Sequence, residues 1–336
     1  MGQGGRLSVG DGLSAGGLDV VAPTVTVAVV SFNTRNLLLR CLQSLEPEAN
    51  AGLADVWVVD NDSIDVSAEA ARDQAPWAQV IDAGANVGYG RAVNSVARWT
   101  RSEWLLAANA DVAFESGALE ALIAGTEAGR VGCVAPRLVL PGGAIQHSVH
   151  PLPTVPLTLA FNLGLHRLSY GFGERLCLEG WWDPERARDV PWAIGACLLL
   201  RREAFEDAGG FDEDQWMYAE DLDLQWRMRW RGWRTRYAPA ARVLHESAAA
   251  TGHAFGDERA GRFMAATYTM LLHRRGAARM WATAAINIAG AAVRVVGTAP
   301  LGWRFGRWRS ATRRNWLWLK AHLEGIRGLA SRGATR

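Results

Sequence analysis

The segment MYAEDLDLQWRMRW sets three carboxylates, Glu220, Asp221 and Asp223, within four positions. Leu222, Trp226 and Arg229 recur at helical spacing, which predicts an amphipathic helix with Glu220 and Asp221 in its first turn. Carboxylates there are stabilised in their ionised form by the helix dipole. An ionised carboxylate beside a substrate hydroxyl is a general base. The acidic run between Glu206 and Asp214 leaves a plainer alternative open, a solvated acidic face.

Other polar residues stand at the ends of apolar runs. Asp111 follows EWLLAAN, and an aspartate exposed at a strand end can bind a hard divalent cation, which in turn neutralises a diphosphate. His245 follows RYAPAARVLHES at the end of an expected short strand, where a neutral imidazole is a competent metal ligand or a satisfied structural residue. Asp60 closes DVWVVD and can accept from a base N–H or cap the next element. In GANVGYGRAVN, Gly88 and Gly90 let backbone approach a ligand closely before a helix whose N-terminus favours an anion. Val93 occupies the third glycine position of a dinucleotide fingerprint, which argues against a Rossmann oxidoreductase.

Elements that place such residues can be read from the pattern. VTVAVV (25–30) is a continuous apolar run that fits a strand buried on both faces. LLLRCLQSL (37–45), with Asn36 as its cap, reads as the helix that follows. DVWVVD (55–60), AQVIDA (78–83) and EWLLAAN (103–109) supply further strands, with a helix over 92–100. Their alternation predicts an α/β domain with a mostly parallel sheet, whose ligands bind beyond the carboxyl ends of the strands. Residues 131–140 and 193–201 read as later strands, the second followed by a helix around EAFEDAG. The stretch 141–191 reads as long loops, where acceptor recognition is expected. Four cysteines without CxxC spacing suggest buried free thiols rather than a zinc site or disulfides.

The order of SFN, DNDS, GANVGYGRAVN, NAD, GGFDE, WMYAED and the late histidine resembles glycosyltransferase family 2 over about residues 24–250, and most closely its rhamnosyltransferase-like branch. The resemblance implies a GT-A fold, an α/β architecture with a Rossmann-like nucleotide-binding half, a mixed central sheet and a C-terminal helical region. It also implies an inverting transfer of a sugar, with L-rhamnose from dTDP-rhamnose as the expected donor, to a saccharide or lipid-linked acceptor in the cell envelope. A UDP- or GDP-sugar acting on a polysaccharide or natural product, and an inactive nucleotide-sugar-binding protein, are the alternatives. Residue by residue, Ser31, Asn33 and Asp60 would contact the nucleoside. Asn86, Gly88, Tyr89, Gly90, Asn94 and Asn109 would shape the nucleotide-sugar pocket. Asp111 would hold Mg2+ or Mn2+, with His245 completing or adjoining the metal site. Asp221 would be the base, and Glu220 would orient acceptor or sugar. The sequence departs from the family's DXD motif in placing Asn109 at its first position, one negative charge fewer.

Charge is distributed unevenly. Ten basic residues and one acid follow position 293, so the first 293 residues carry a net −7 although the whole chain is +2. Three segments are expected: a flexible Gly-rich tail (1–23), a catalytic domain (24–255) and a basic, Trp-rich helical region (256–336). The N-terminus lacks the features of a secretory signal, which predicts a cytoplasmic chain. The apolar run from Trp281 is interrupted at Arg294, short of the roughly 20 residues a spanning helix needs. Trp303, Trp308, Trp316 and Trp318 stand among arginines, the composition of a helix lying in lipid headgroups, so peripheral binding at the inner membrane face is expected. C-terminal helices packing on the catalytic domain are the alternative. Nucleic acid is not an expected partner, and the sequence sets no oligomeric state.

Overall fold

The computed structural model describes residues 25–127, 129–246 and 258–333. The Gly-rich segment 1–23 lies outside them. Strands β1 (Val25–Ser31), β2 (Ala54–Asp60), β3 (Gln79–Asp82) and β4 (Trp104–Asn109) form a parallel half in the order β3-β2-β1-β4. Between them run helices α1 (Arg35–Asn50), α2 (Ser67–Gln74) and α3 (Tyr89–Trp99). Period-two alternation sends Val25, Val27 and Val29 of β1 to one face, against Leu38, Leu42 and Leu45 of α1. Ala28 faces the other way, toward Val93 and Val96 of α3. Both faces are therefore covered, as the unbroken apolar run of β1 requires.

Beyond β4 the sheet becomes mixed. The chain next supplies β5 (Val112–Phe114), α4 (Ala118–Ala124), β6 (Val131–Val139) and β7 (Val149–His150). Helices α5 (Val155–Asn162) and α6 (Tyr170–Arg175) then lead to β8 (Arg188–Val190), β9 (Trp192–Ala193) and β10 (Cys197–Arg201). Helices α7 (Arg202–Asp207) and α8 (Glu220–Trp230) precede β11 (Arg234–His245). β10 lies antiparallel between β4 and β6, β11 runs parallel to β6, and β5 closes the edge against β11. β7 and β9 form a separate two-stranded ribbon.

Several expectations change. α1 begins at Arg35 with Thr34 before it, and not after Asn36, because Asp65 accepts from the Arg35 N–H at 2.8 Å and satisfies that first donor. The run 193–201 is two strands, broken at Ile194–Ala196 where Gly195 turns its N–H toward α8. The strand ending at His245 spans 12 residues and is not short, because it pairs with β6 along its length and with β5 and β8 at its ends. All four cysteines are buried and free.

Three helices follow: Arg259–Arg275, Ala277–Arg304 and Gly306–Gly333. The first packs Met264, Tyr268 and Leu271 onto Leu222 and Trp226 of α8. Asp223, fully buried in α8, accepts from Arg274 of that helix at 2.6 Å and from Arg227 at 2.8 Å, while Arg274 also reaches Asp212 at 2.5 Å. Tyr268 hydrogen-bonds the His322 imidazole at 2.8 Å and ties the first helix to the third.

The helix Ala277–Arg304 corrects the sequence reading of its length. It passes Arg294 and Gly297 unbroken and includes Pro300, and over 27 residues it is long and apolar enough to cross a membrane by length and composition. Arg294 does not interrupt it, because its guanidinium turns inward to donate to Asn162 of α5 at 3.0 Å.

Candidate active site

Register aligns the ends of the parallel strands. Ser31 pairs with Asp60, Asp60 with Asp82, and Val30 with Asn109, so the polar residues that close these strands share one edge of the sheet. A cavity of about 630 Å³ opens there. Asn86, Gly88, Tyr89, Asn109, Asp111, Glu220, Asp221 and His245 line it together, drawn from both halves of the chain.

The remaining site residues named from the sequence are not in this lining. Ser31 is fully buried, its hydroxyl 3.2 Å from that of Thr34. Asn33 accepts from the Ile64 N–H at 2.8 Å and donates its own N–H to Ser63 at 2.9 Å, pinning the first two strand-end loops together. Asp60 accepts from the Ser63 N–H at 2.8 Å, and its other oxygen is buried with no hydrogen-bond partner among the described residues. Asn94 points away from the cavity, its amide donating to the Phe211 carbonyl at 2.9 Å and to Glu213 at 3.0 Å. Gly90 packs on Phe211, where a Cβ would approach to 2.8 Å. Gly88 has φ +86°, and a Cβ there would collide with the Trp216 carbonyl, so only glycine lets the 86–90 loop close on the 216–219 segment.

The acidic pair is aimed by backbone conformation. Tyr218 and Ala219 both take left-handed angles, φ 67° and 61°, a strain of about 1–3 kcal/mol each for non-glycine residues. It is held by burial of Ala219 and by its carbonyl accepting the Asp223 N–H at 2.8 Å. Helix α8 therefore starts at the cavity. Asp221 accepts from the Gly195 N–H at 2.6 Å and from the Leu222 N–H at 2.7 Å, while Oε2 of buried Glu220 has no partner among the described residues. Burial pushes both carboxyls above their ordinary range, and Asp221 adds repulsion at Glu220. The two N–H groups oppose that rise at Asp221, so Asp221 is the member of the pair that ionises first.

Asp111, in the same lining, is 7% exposed, and its Oδ1 has no hydrogen-bond partner among the described residues. His245 Nε2 lies 3.4 Å from that oxygen. Gln146 Oε1 accepts from His245 Nδ1 at 2.6 Å. With the proton on Nδ1, Nε2 presents a lone pair toward the Asp111 carboxylate, so two electron-pair donors face one another across a gap that suits a cation. No group of three His, Cys, Asp or Glu side chains suited to a metal occurs among the described residues. Two protein ligands match a Mg2+- or Mn2+-type ion that takes its remaining ligands from diphosphate and water.

Residues not singled out in the sequence also line the cavity, among them Asn61, Gln146, Trp192, Gly195, Arg259 and Phe263. Asn61 stands inside DNDS and could have been named with Asp60. Gln146 is 99 residues from His245, and Arg259 and Phe263 belong to the tail, so no local pattern marks them. Tyr89 donates to the Gly195 carbonyl at 2.8 Å, which links the 86–90 loop to the residue whose N–H holds Asp221. A second, more open groove of about 940 Å³ on the far side of Asn94 contains the ion pairs of Arg98 with Glu213 and Arg274 with Asp212.

Comparison with known proteins agrees with this geometry. The family model for glycosyl transferase family 2 matches residues 26–209, and that for glycosyl transferase family group 2 matches residues 183–319. The N-acetylglucosaminyl-diphospho-decaprenol L-rhamnosyltransferase of Mycobacterium tuberculosis is 34% identical over 243 residues, which is 67% of this chain and 77% of the relative. The rhamnosyltransferase WbbL of Escherichia coli is 39% identical over 56 residues, 17% of this chain and 21% of the relative. A mannosyltransferase from Pyrobaculum calidifontis, solved in complex with GDP-Man and Mn2+, superposes with a TM-score of 0.57 at 18% identity, over 90% of this chain and 87% of that one. The fold is therefore the GT-A fold, and the chain belongs to glycosyltransferase family 2, among its rhamnosyltransferase-like members.

Proposed function

We propose that the protein is an inverting rhamnosyltransferase that moves L-rhamnose from dTDP-rhamnose to a hydroxyl of a polyprenyl-diphosphate-linked saccharide. The observation that carries this reading is one cavity lined both by a backbone-held carboxylate, Asp221, and by Asp111 and His245 set 3.4 Å apart. The rhamnosyl group and the lipid-linked acceptor are inferred from the name of the mycobacterial relative, and dTDP from the resemblance to the rhamnosyltransferase-like branch.

Asp60 and Asn61, each with a buried oxygen lacking a partner among the described residues, would accept from the nucleoside. The 86–90 loop and Asn109 would flank the diphosphate and sugar. Asp111 and His245 would hold Mg2+ or Mn2+, which supplies positive charge to the departing diphosphate. Asp221 takes the proton of the acceptor hydroxyl as that oxygen bonds to the anomeric carbon. The bond from this carbon to the diphosphate oxygen breaks, and its electron pair leaves with the nucleoside diphosphate. Attack and departure on opposite faces invert the configuration. Glu220, held neutral longer than Asp221, is a hydrogen-bond donor for the acceptor or sugar. The tail helices, with Arg259 and Phe263 in the cavity wall, would keep this site at the inner face of the membrane as a peripheral enzyme.

The test is to incubate the chain with dTDP-L-rhamnose, Mn2+ and polyprenyl-diphospho-N-acetylglucosamine. The expected product is a glycolipid heavier by one deoxyhexose, with anomeric configuration opposite to the donor's by NMR. Turnover with a UDP- or GDP-sugar and none with dTDP-rhamnose would overturn the donor. Retention of configuration would overturn the single displacement.

A further inference from the structure

The excursion between β7 and β8 carries an apolar surface of its own. From Val155 to Phe172 the only charged residue is Arg167. Leu159, Phe161, Leu163, Leu165, Leu168 and Tyr170 are all exposed, Leu163 at 65% and Leu168 at 81%. Contiguous apolar surface of this kind marks an interaction site rather than ordinary protein exterior.

Its shape is fixed. The Phe161 ring stacks on His166 at 5.0 Å, and His166 and Tyr170 pack around Trp181 at 6.0 and 5.9 Å. Asn162 joins α5 to the helix Ala277–Arg304, donating to Asn287 at 3.0 Å and accepting from Arg294 at 3.0 Å. That helix exposes Trp281, Val293, Val296 and Trp303, the last at 92%. The helix after it exposes Trp316, Leu317 and Trp318 beside the exposed Arg313 and Arg314.

We propose that residues 159–172 are a second lipid-contacting element, which together with the tail helices docks the enzyme on an anionic phospholipid bilayer. Indole rings and guanidinium groups side by side suit a headgroup layer, where ring N–H groups and cations both find partners, rather than a dry protein interface. Arg167, the one charged residue between Val155 and Phe172, has the sign that complements anionic lipid. The excursion is also rooted in the cavity wall, because β7 pairs with β9, whose Trp192 lines the cavity. Docking through it brings the cavity to the depth at which a lipid-linked acceptor carries its saccharide. The inference rests on the membrane-linked acceptor proposed above.

The test is flotation of the full chain with vesicles of phosphatidylglycerol and phosphatidylcholine in equal parts, for wild type and for Leu163→Asp/Leu168→Asp. Both leucines are exposed and outside the cavity, so the melting temperature and transfer to a water-soluble acceptor are expected to stay at wild-type values. Vesicle partitioning is expected to fall by at least about ten-fold. Leu163→Met/Leu168→Met, which keeps the apolar surface, is expected to float as wild type does. Unchanged flotation of the aspartate variant overturns the proposal. So does a wild-type oligomer that this variant turns into monomer without any change in vesicle binding, which would make the surface a contact between copies of the chain. Failure to transfer sugar from any donor, with flotation intact, would remove the proposed reaction and leave the docking surface standing.

Discussion

Along one wall of the site, in the cavity lining or just behind it, polar groups close neighbouring parallel strands, Asp60 beside Ser31 and Asn109 beside Val30. Along the other they are gathered from Gln146, Gly195, the 216–221 segment, His245 and the tail. The first wall needs only strand register and the two loops after β1 and β2 that bond to one another. The second hangs on contacts between elements far apart in the chain, above all the buried Asp223 with Arg227 and Arg274. Asp221 and Asp223 share the first turn of α8, yet one faces the cavity and the other is enclosed by guanidinium groups. The difference teaches that on this helix it is the face, and not the density of acid, that separates chemistry from scaffolding.

That contrast can be broken at its strongest point first. Asp221→Asn is expected to lower kcat by about 10³-fold or more while donor affinity, measured by calorimetry with the nucleotide, changes less than about two-fold. A loss of donor affinity comparable to the loss of kcat would move Asp221 from the acceptor to the donor wall. Asp223→Ala leaves Arg227 without its carboxylate and Arg274 with Asp212 alone, and is expected to destabilise the fold by about 3 kcal/mol in urea unfolding, with the tail helix loosening first in hydrogen exchange. Uniform exchange across the chain would show that the tail is not hung on that network.

Smaller effects sharpen the comparison. Gln146→Leu removes the acceptor that fixes the His245 tautomer and is expected to weaken Mn2+ binding, read by electron paramagnetic resonance, by about ten-fold. Unaltered Mn2+ affinity would reduce Gln146 to a packing residue. The smallest predicted effect is in the pH profile. Because burial raises the Asp221 carboxyl and the base acts only when ionised, activity falls as pH drops through a midpoint above the ordinary carboxylate range. An acid limb centred at the ordinary aspartate value would mean that the carboxylate is solvated during turnover.

Legibility in the sequence followed the same division. The parallel half could be read because its strands are continuous apolar runs and its site residues are their immediate continuations. The start of α1 was misplaced at Asn36 because the group that satisfies its first N–H, Asp65, is 30 residues away. Asn94 lies in the nucleotide motif, but only the fold reveals that its amide is engaged by Phe211 and Glu213. The break at Gly195 was hidden inside an apolar run, since its cause is a carboxylate 26 residues later. The tail helix was read as interrupted because Arg294 counts as a solvated charge until Asn162 is seen to receive it.

Gly195 carries one further consequence. Its carbonyl accepts from Tyr89 and its N–H donates to Asp221, and a Cβ there would press on the Asp221 side chain at 3.1 Å. The residue is thus a relay of two hydrogen bonds between the loop proposed to receive the donor and the carboxylate proposed to take the proton. On that reading a displacement of Tyr89 by a poorly seated donor would also disturb the aim of the base.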